Sequence, residues 1–128
     1  MTRRGRAGGL LSPALLTIAL AWAGVARAHW MSPAEVVAEV GAPSSRKALG
    51  VEGVNHDQNN ARLLIIRVGP DWYALPRAKR AKQAHEWLDL WHRSVEHGIV
   101  AILDAKSDKP VVRYVRGEVA EALDSPPK

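Results

Sequence analysis

The chain has 128 residues, room for one domain, with 18 Lys and Arg against 13 Asp and Glu and no cysteine. Four of the basic residues (Arg3, Arg4, Arg6, Arg27) and none of the acidic ones fall in the first 28 positions. The remainder carries 14 basic against 13 acidic residues, a net +1, so the overall pI near 10.0 does not point to a nucleic-acid partner. The lack of cysteine excludes a disulfide scaffold, thiolate metal sites, cysteine nucleophiles and a lipidated amino-terminal Cys.

Residues 1–28 have the three parts of a secretory signal: a basic start, an apolar run from Ala14 to Val25 broken by Thr17 and Gly24, and Ala26-Arg27-Ala28 as a small-x-small cleavage site. The run is shorter than the roughly 20 residues a membrane span needs, so cleavage after Ala28 and no transmembrane span in the mature form are expected. The expected location is the periplasm or the medium.

Residues 29–46 read as an amino-terminal segment. Ser32-Pro33-Ala34-Glu35 is a capping box with Pro at the first helical position, predicting a short helix from Pro33 to Val40 stopped by Gly41. Gly41 to Ser45 reads as a loop. The core domain is expected over 47–117. Leu49, Val51 and Gly53 suggest a weak edge strand, followed by the turn-rich His56 to Asn60 and the apolar run Leu63-Leu64-Ile65-Ile66, together a hairpin. Gly69-Pro70-Asp71 ends that strand, with Asp71 expected to cap a turn through Leu75.

Pro76 to His97 then shows a helical period, with Ala81, Ala84, Leu88, Trp91 and Val95 on one stripe, Trp87 at its edge and Leu90 expected outside. Gly98 is expected to stop the helix. The run Ile99 to Leu103 follows, and two uninterrupted apolar runs around a helix predict a βαβ crossover whose strands are buried on both faces. After a polar turn, Val111 to Arg116 largely alternates and is expected to pair antiparallel with the preceding strand. Residues 118–128 are a tail: Glu118 to Leu123 one or two helical turns, Asp124 onward frayed. The fold class is α+β, a single two-layer α/β sandwich in β-β-α-β-β order. It has a mixed sheet of about four strands, one long amphipathic helix and short flanking helices.

His85, Asp89, His92 and Glu96 follow at spacings of four, three and four, which on a helix shares one flank. Two imidazoles and a carboxylate are a ligand set for zinc or a similar divalent metal. The string His85-Glu86-Trp87-Leu88-Asp89 resembles the HExxH motif of zinc peptidases, with Asp89 where that motif has its second His. Cleavage after Ala28 would make His29 the first residue, resembling the histidine brace of copper monooxygenases, for which His56, His92 or His97 would have to supply the second imidazole. The bland alternative for the helix flank is a solvated face with ordinary ion pairs.

Arg77, Lys79, Arg80 and Lys82 crowd the helix start, where the macrodipole disfavours cations, and suggest an anion patch. Trp30, Trp72 and Tyr73 would make an interface platform if exposed. Asp104 ends a strand where α/β sheets often place ligands. No Gly-rich phosphate loop, GxSxG or paired-carboxylate motif occurs, so no catalytic residue or cofactor is assigned. The expected function is a non-catalytic exported interaction or accessory module with an unidentified exported protein partner. The alternative is a divalent-metal protein using His85, Asp89 and His92.

Overall fold

The computed structural model describes residues 31–128; the expected signal segment, His29 and Trp30 lie outside the described residues. The first helix, α1 (Pro33–Val40), has the expected start. Ser32 Oγ accepts from the Glu35 amide at 3.2 Å, and Glu35 Oε1 accepts from the Ser32 amide at 3.3 Å. Its eight residues are too few to be stable alone, and Val36 and Val40 supply the buried side that docks it.

Residues read as a loop form a second helix, α2 (Pro43–Leu49). Ala42, held extended by the proline after it, is the N-cap, and Pro43 enters at the first turn, where a missing N–H costs nothing. Arg46 fastens this helix, its side chain donating to the carbonyls of Gly41 at 2.8 Å and Glu52 at 2.7 Å. Gly50 closes it at φ 71°, and a Cβ there would lie 2.4 Å from the Trp72 nitrogen, so both conformation and space require glycine.

Strands β1 (Val51–His56) and β2 (Leu63–Val68) form the expected antiparallel hairpin, with a bulge between Val51 and Gly53. Asp57 holds its loop by accepting the amides of Asn59 and Asn60. A five-residue helix, α3 (Pro70–Ala74), follows with Gly69 rather than Asp71 as N-cap, and it carries Trp72 into the core. The main helix α4 (Arg77–Ser94) ends three residues earlier than the expected His97, and β3 (Ile99–Asp104) returns parallel to β2 with Leu63 opposite Ile99 and Val68 opposite Asp104. The crossover is therefore as read.

The remainder differs. Residues 118–122, assigned to a helical tail, form β5 (Glu118–Ala122), which pairs antiparallel with β4 (Val112–Val115). Glu and Ala favour helix locally, but Arg116 (φ 53°) and Gly117 (φ 80°) form a two-residue loop with both positions left-handed, the turn that matches strand twist. The sheet has three strands, in the order β1-β2-β3, with β4-β5 separate, rather than about four in one sheet. Among the described residues, a single bridge, Leu103 to Pro110, links the two. Pro110 is tolerated because its missing N–H would point away from β3; the pairing runs on to the Val111 amide, which donates to Ile102 at 2.9 Å, and stops there because the Val111 carbonyl is taken by the Leu123 amide at 2.9 Å instead.

The expectation of strands buried on both faces is also corrected. Leu64, Ile66, Val68, Val100 and Ile102 are buried under α4, whereas Leu63, Ile65, Ala101 and Leu103 are half-buried and outside the main core cluster. Ile99 is 42% exposed. This burial on one face only is that of a two-layer structure.

The core is set by three tryptophans. Trp72 and Trp87 stack with ring centroids 5.3 Å apart, and Trp91 is fully buried with Nε1 donating to the Arg62 carbonyl at 2.8 Å. Each large buried side chain contributes about 1.5–3 kcal/mol by removal from water. On α4 the buried residues are Arg80, Ala84, Trp87, Leu88 and Trp91, with Ala81 and, just past the helix end, Val95 half-buried. The stripe is thus rotated toward Trp87. Leu90, expected outside, is half-buried because α1 gives α4 a second neighbour, and Leu90, Val40 and Leu49 line one crevice. No helix among the described residues is long and apolar enough to cross a membrane.

Candidate functional site

The helix flank offers a pair rather than a ligand set. His85 Nε2 lies 3.4 Å from Asp89 Oδ2, the ordinary contact of side chains four apart on a helix. His92 turns instead to the helix end, its Nε2 donating to the Gly98 carbonyl at 2.8 Å. Glu96 lies beyond the last helical residue, next to His97 and almost fully exposed. Among the described residues no three His, Asp or Glu side chains come close enough to hold a metal ion. His56 is likewise engaged, its Nε2 2.6 Å from the Ala61 carbonyl and its ring edge-on to Trp91.

The basic cluster has an anion already, supplied by the chain itself. Arg77 and Arg80 both donate to the carboxylate of Asp124, a residue expected to fray. Arg80 is 2% exposed and also donates to the carbonyls of Tyr73 and Leu75, while Lys79 and Lys82 face solvent. The Arg77 hydrogen bond, against an opposing effect of burial and helped by the charges of both guanidinium groups, holds the Asp124 carboxyl below the usual range. A cation-rich first turn on α4 is therefore compensated by the far end of the chain.

Asp104 ends β3 inside a crevice of about 250 Å³ shared with Glu52, Gly69, Tyr73, Lys106 and Pro126. Its carboxylate is filled from within. Tyr73 donates to Oδ1 at 2.7 Å, and the Lys106 amide, Ser107 amide and Ser107 hydroxyl donate to Oδ2 at 3.1, 3.0 and 3.2 Å. The Tyr73 bond, against an opposing effect of burial, keeps Asp104 below the usual carboxylate range, and burial together with Asp104 pushes the Tyr73 hydroxyl up. This is the chemistry of a pinned turn. Trp72 is buried and Tyr73 half-buried, so they form no exposed platform.

One concave feature was not anticipated from the sequence. Where β4 leaves β3 after Val111, a groove of about 410 Å³ opens between the start of β3 and the β4-β5 hairpin. Leu88, Val100, Val112 and Tyr114 form its apolar floor, and His92, Arg113 and Arg116 are its charged or titratable side chains, with no carboxylate among the lining residues. The Tyr114 hydroxyl is spent on the Ala84 carbonyl at 2.7 Å, and burial pushes its pKa up. Ile99, one of the two large hydrophobic side chains that stand out as exposed among the described residues, lines this opening at 42% exposure.

Backbone direction gives the groove its chemistry. The Ile99 amide donates to Arg62 and the Ala105 amide to Val68, so odd-numbered residues of β3 direct their peptide groups to β2. Even-numbered residues face the other way. Asp104 donates there to Lys109 and Ile102 accepts from Val111. Val100 has the same direction but lies beyond the last β3–β4 bridge, so its N–H and C=O face the groove. The sequence signal for this place is the apolar run Ile99 to Leu103, which does not reveal that the Leu123 amide ends the pairing at Val111. Compared with protein-family models, with curated proteins and with solved structures, the chain matches none of them.

Proposed function

We propose that this protein is an exported, non-catalytic interaction module that holds an extended segment of a partner protein between β3 and β4. The carrying observation is the interrupted pairing of β3, which leaves the peptide groups of Val100 facing an apolar-floored groove that exposed Ile99 also lines. A donor and acceptor on a strand edge are satisfied best by another strand, and alternate side chains of that strand would occupy the apolar floor. The proposal of export rests on the first 28 residues.

Selection of binders from a library of random peptides tests the reading. Recovered sequences should alternate with period two and lose binding to the Ile99→Asp variant while its melting temperature stays within a few degrees of wild type. Sequences with helical period, or binding untouched by that variant, would overturn it. The intact mass of the protein from the exported fraction tests the other half: a chain beginning at His29 is expected, and one retaining Met1 refutes export by cleavage.

A further inference from the structure

The groove is charged on one side only, and this selects its occupant. On β4, Val112 is buried and Tyr114 reaches the Ala84 carbonyl, so both face α4. Arg113 faces outward with 65% of its side chain exposed. On β3, Val100 is buried toward α4, and Ile99 lies on the opposite face. A strand lying between them has alternate side chains on these two faces. Its inner row meets Leu88, Val100, Val112 and Tyr114; its outer row meets Ile99, Ala101 and Arg113, with Arg116 at the turn.

Resting on the reading of this groove as a strand-binding site, we infer that its partner strand alternates apolar with acidic residues, apolar toward α4 and carboxylates outward to Arg113 and Arg116. Arg116 has no ion-pair partner among the described residues, and its backbone is fixed by the left-handed turn it shares with Gly117. Arg113 has one, Glu121, at 3.5 Å, with both side chains more than half exposed. Such an exposed pair is weak and exchanges readily for a carboxylate delivered by a bound strand. The wall from Gly98 to Ala101 spans about 10 Å of extended chain, so the contact covers some four residues. A second copy of this chain is a poor occupant, because docking β3 against β3 brings two sets of Arg113 and Arg116 together with like charge.

The test uses the full chain and two synthetic peptides, one of alternating Val and Glu and one of alternating Val and Lys. Binding is followed by fluorescence anisotropy, and strand addition by hydrogen exchange at the Val100 amide. The Glu peptide should bind at least about tenfold more tightly than the Lys peptide, with the gap closing near 0.5 M salt. It should reverse in Arg113→Glu/Arg116→Glu, and Val100 exchange should slow only with the tighter peptide. Should the double Glu variant fail to fold, Arg113→Gln/Arg116→Gln serves, and it should bind both peptides equally. Equal binding of both peptides to wild type, with equal protection of Val100, overturns the acidic partner and leaves the strand-binding reading intact. No protection of Val100 by either peptide overturns both.

Discussion

Arg80 and Asp124 are forty-four positions apart in the chain, and the guanidinium of the first grips the carboxylate of the second. The two ends of the contact differ: 3% of the Arg80 side chain is exposed against 54% of Asp124. Replacing Arg80 by Ala removes a buried stem and the donors to the Tyr73 and Leu75 carbonyls, a loss of about 2–3 kcal/mol in urea unfolding. Asp124→Ala leaves the buried cation without its carboxylate and should lower the melting temperature. The folded-state pKa of Asp124 is lowered, so its contribution is complete above the ordinary aspartate range and vanishes as pH falls through the lower folded value. The melting-temperature gap between wild type and Asp124→Ala should therefore close on acidification. An unchanged melting temperature at neutral pH would show that the chain end is not held.

The Tyr73 and Asp104 pair ties α3 to the end of β3 through a 2.7 Å bond. Tyr73→Phe keeps the ring and removes the donor, costing about 1 kcal/mol at neutral pH, since Asp104 retains its donors from Lys106 and Ser107. With the main cause of its lowered pKa gone, Asp104 takes up its proton at higher pH in the variant. A carboxylate with a depressed folded pKa stabilises above its unfolded value and loses that stabilisation as pH falls through the folded one. Urea unfolding along a descending pH series should show Tyr73→Phe losing stability earlier than wild type. Parallel curves for the two proteins would rule this linkage out.

The parts of this fold that were legible in the sequence are those whose determinants are local. Ser32 and Glu35 make each other's cap within one turn, and Leu63 to Ile66 and Ile99 to Leu103 announce strands by composition alone. What was misread depended on distant residues. Glu118 to Ala122 has the composition of a helix, and only pairing with β4 makes it a strand. Ala42-Pro43 fits a loop or a helix start equally well, and the docking of α2 through Arg46 and Leu49 decides. The anion patch was recognised at Arg77 and Arg80, but its ligand was forty-seven residues beyond Arg77 in a segment that reads as frayed. The groove was invisible for the same reason, because it is made by the divergence of two strands rather than by any motif.

The metal reading makes a separate, cheap prediction. His85 and Asp89 meet, but His92 is fastened to Gly98 and Glu96 leaves the helix, so at most two ligands share a direction. Two exposed ligands give weak binding, and stabilisation by a ligand scales with its concentration over Kd. Zinc added in modest excess to the full chain should leave the melting temperature where a magnesium control leaves it. His85→Ala and His92→Ala should respond as wild type does. A zinc-dependent rise lost in both variants would show that His92 can release Gly98 and that the flank closes on metal.

Gly98, expected to stop α4, has a different task, since α4 already ends at Ser94. The left-handed residue is His97, at φ 57°, while Gly98 lies under Trp91: a Cβ there would sit 2.5 Å from Cδ1 and 2.7 Å from Nε1 of the indole. The ring cannot yield freely, because it is fully buried and its N–H is bonded to the Arg62 carbonyl. Gly98→Ala should accordingly cost about 1–3 kcal/mol by overpacking. His97→Gly relieves a left-handed non-glycine residue worth about 1–2 kcal/mol against a glycine entropy penalty of about 0.5–1 kcal/mol, so it should be neutral or stabilising by up to roughly 1.5 kcal/mol. Urea unfolding of the two variants separates the accounts, since a glycine needed for chain reversal would give the opposite order. In a Trp91→Phe background, where a smaller ring replaces the indole, the penalty for Gly98→Ala should shrink. If it does not, the contact between Gly98 and Trp91 is not what demands glycine at this position.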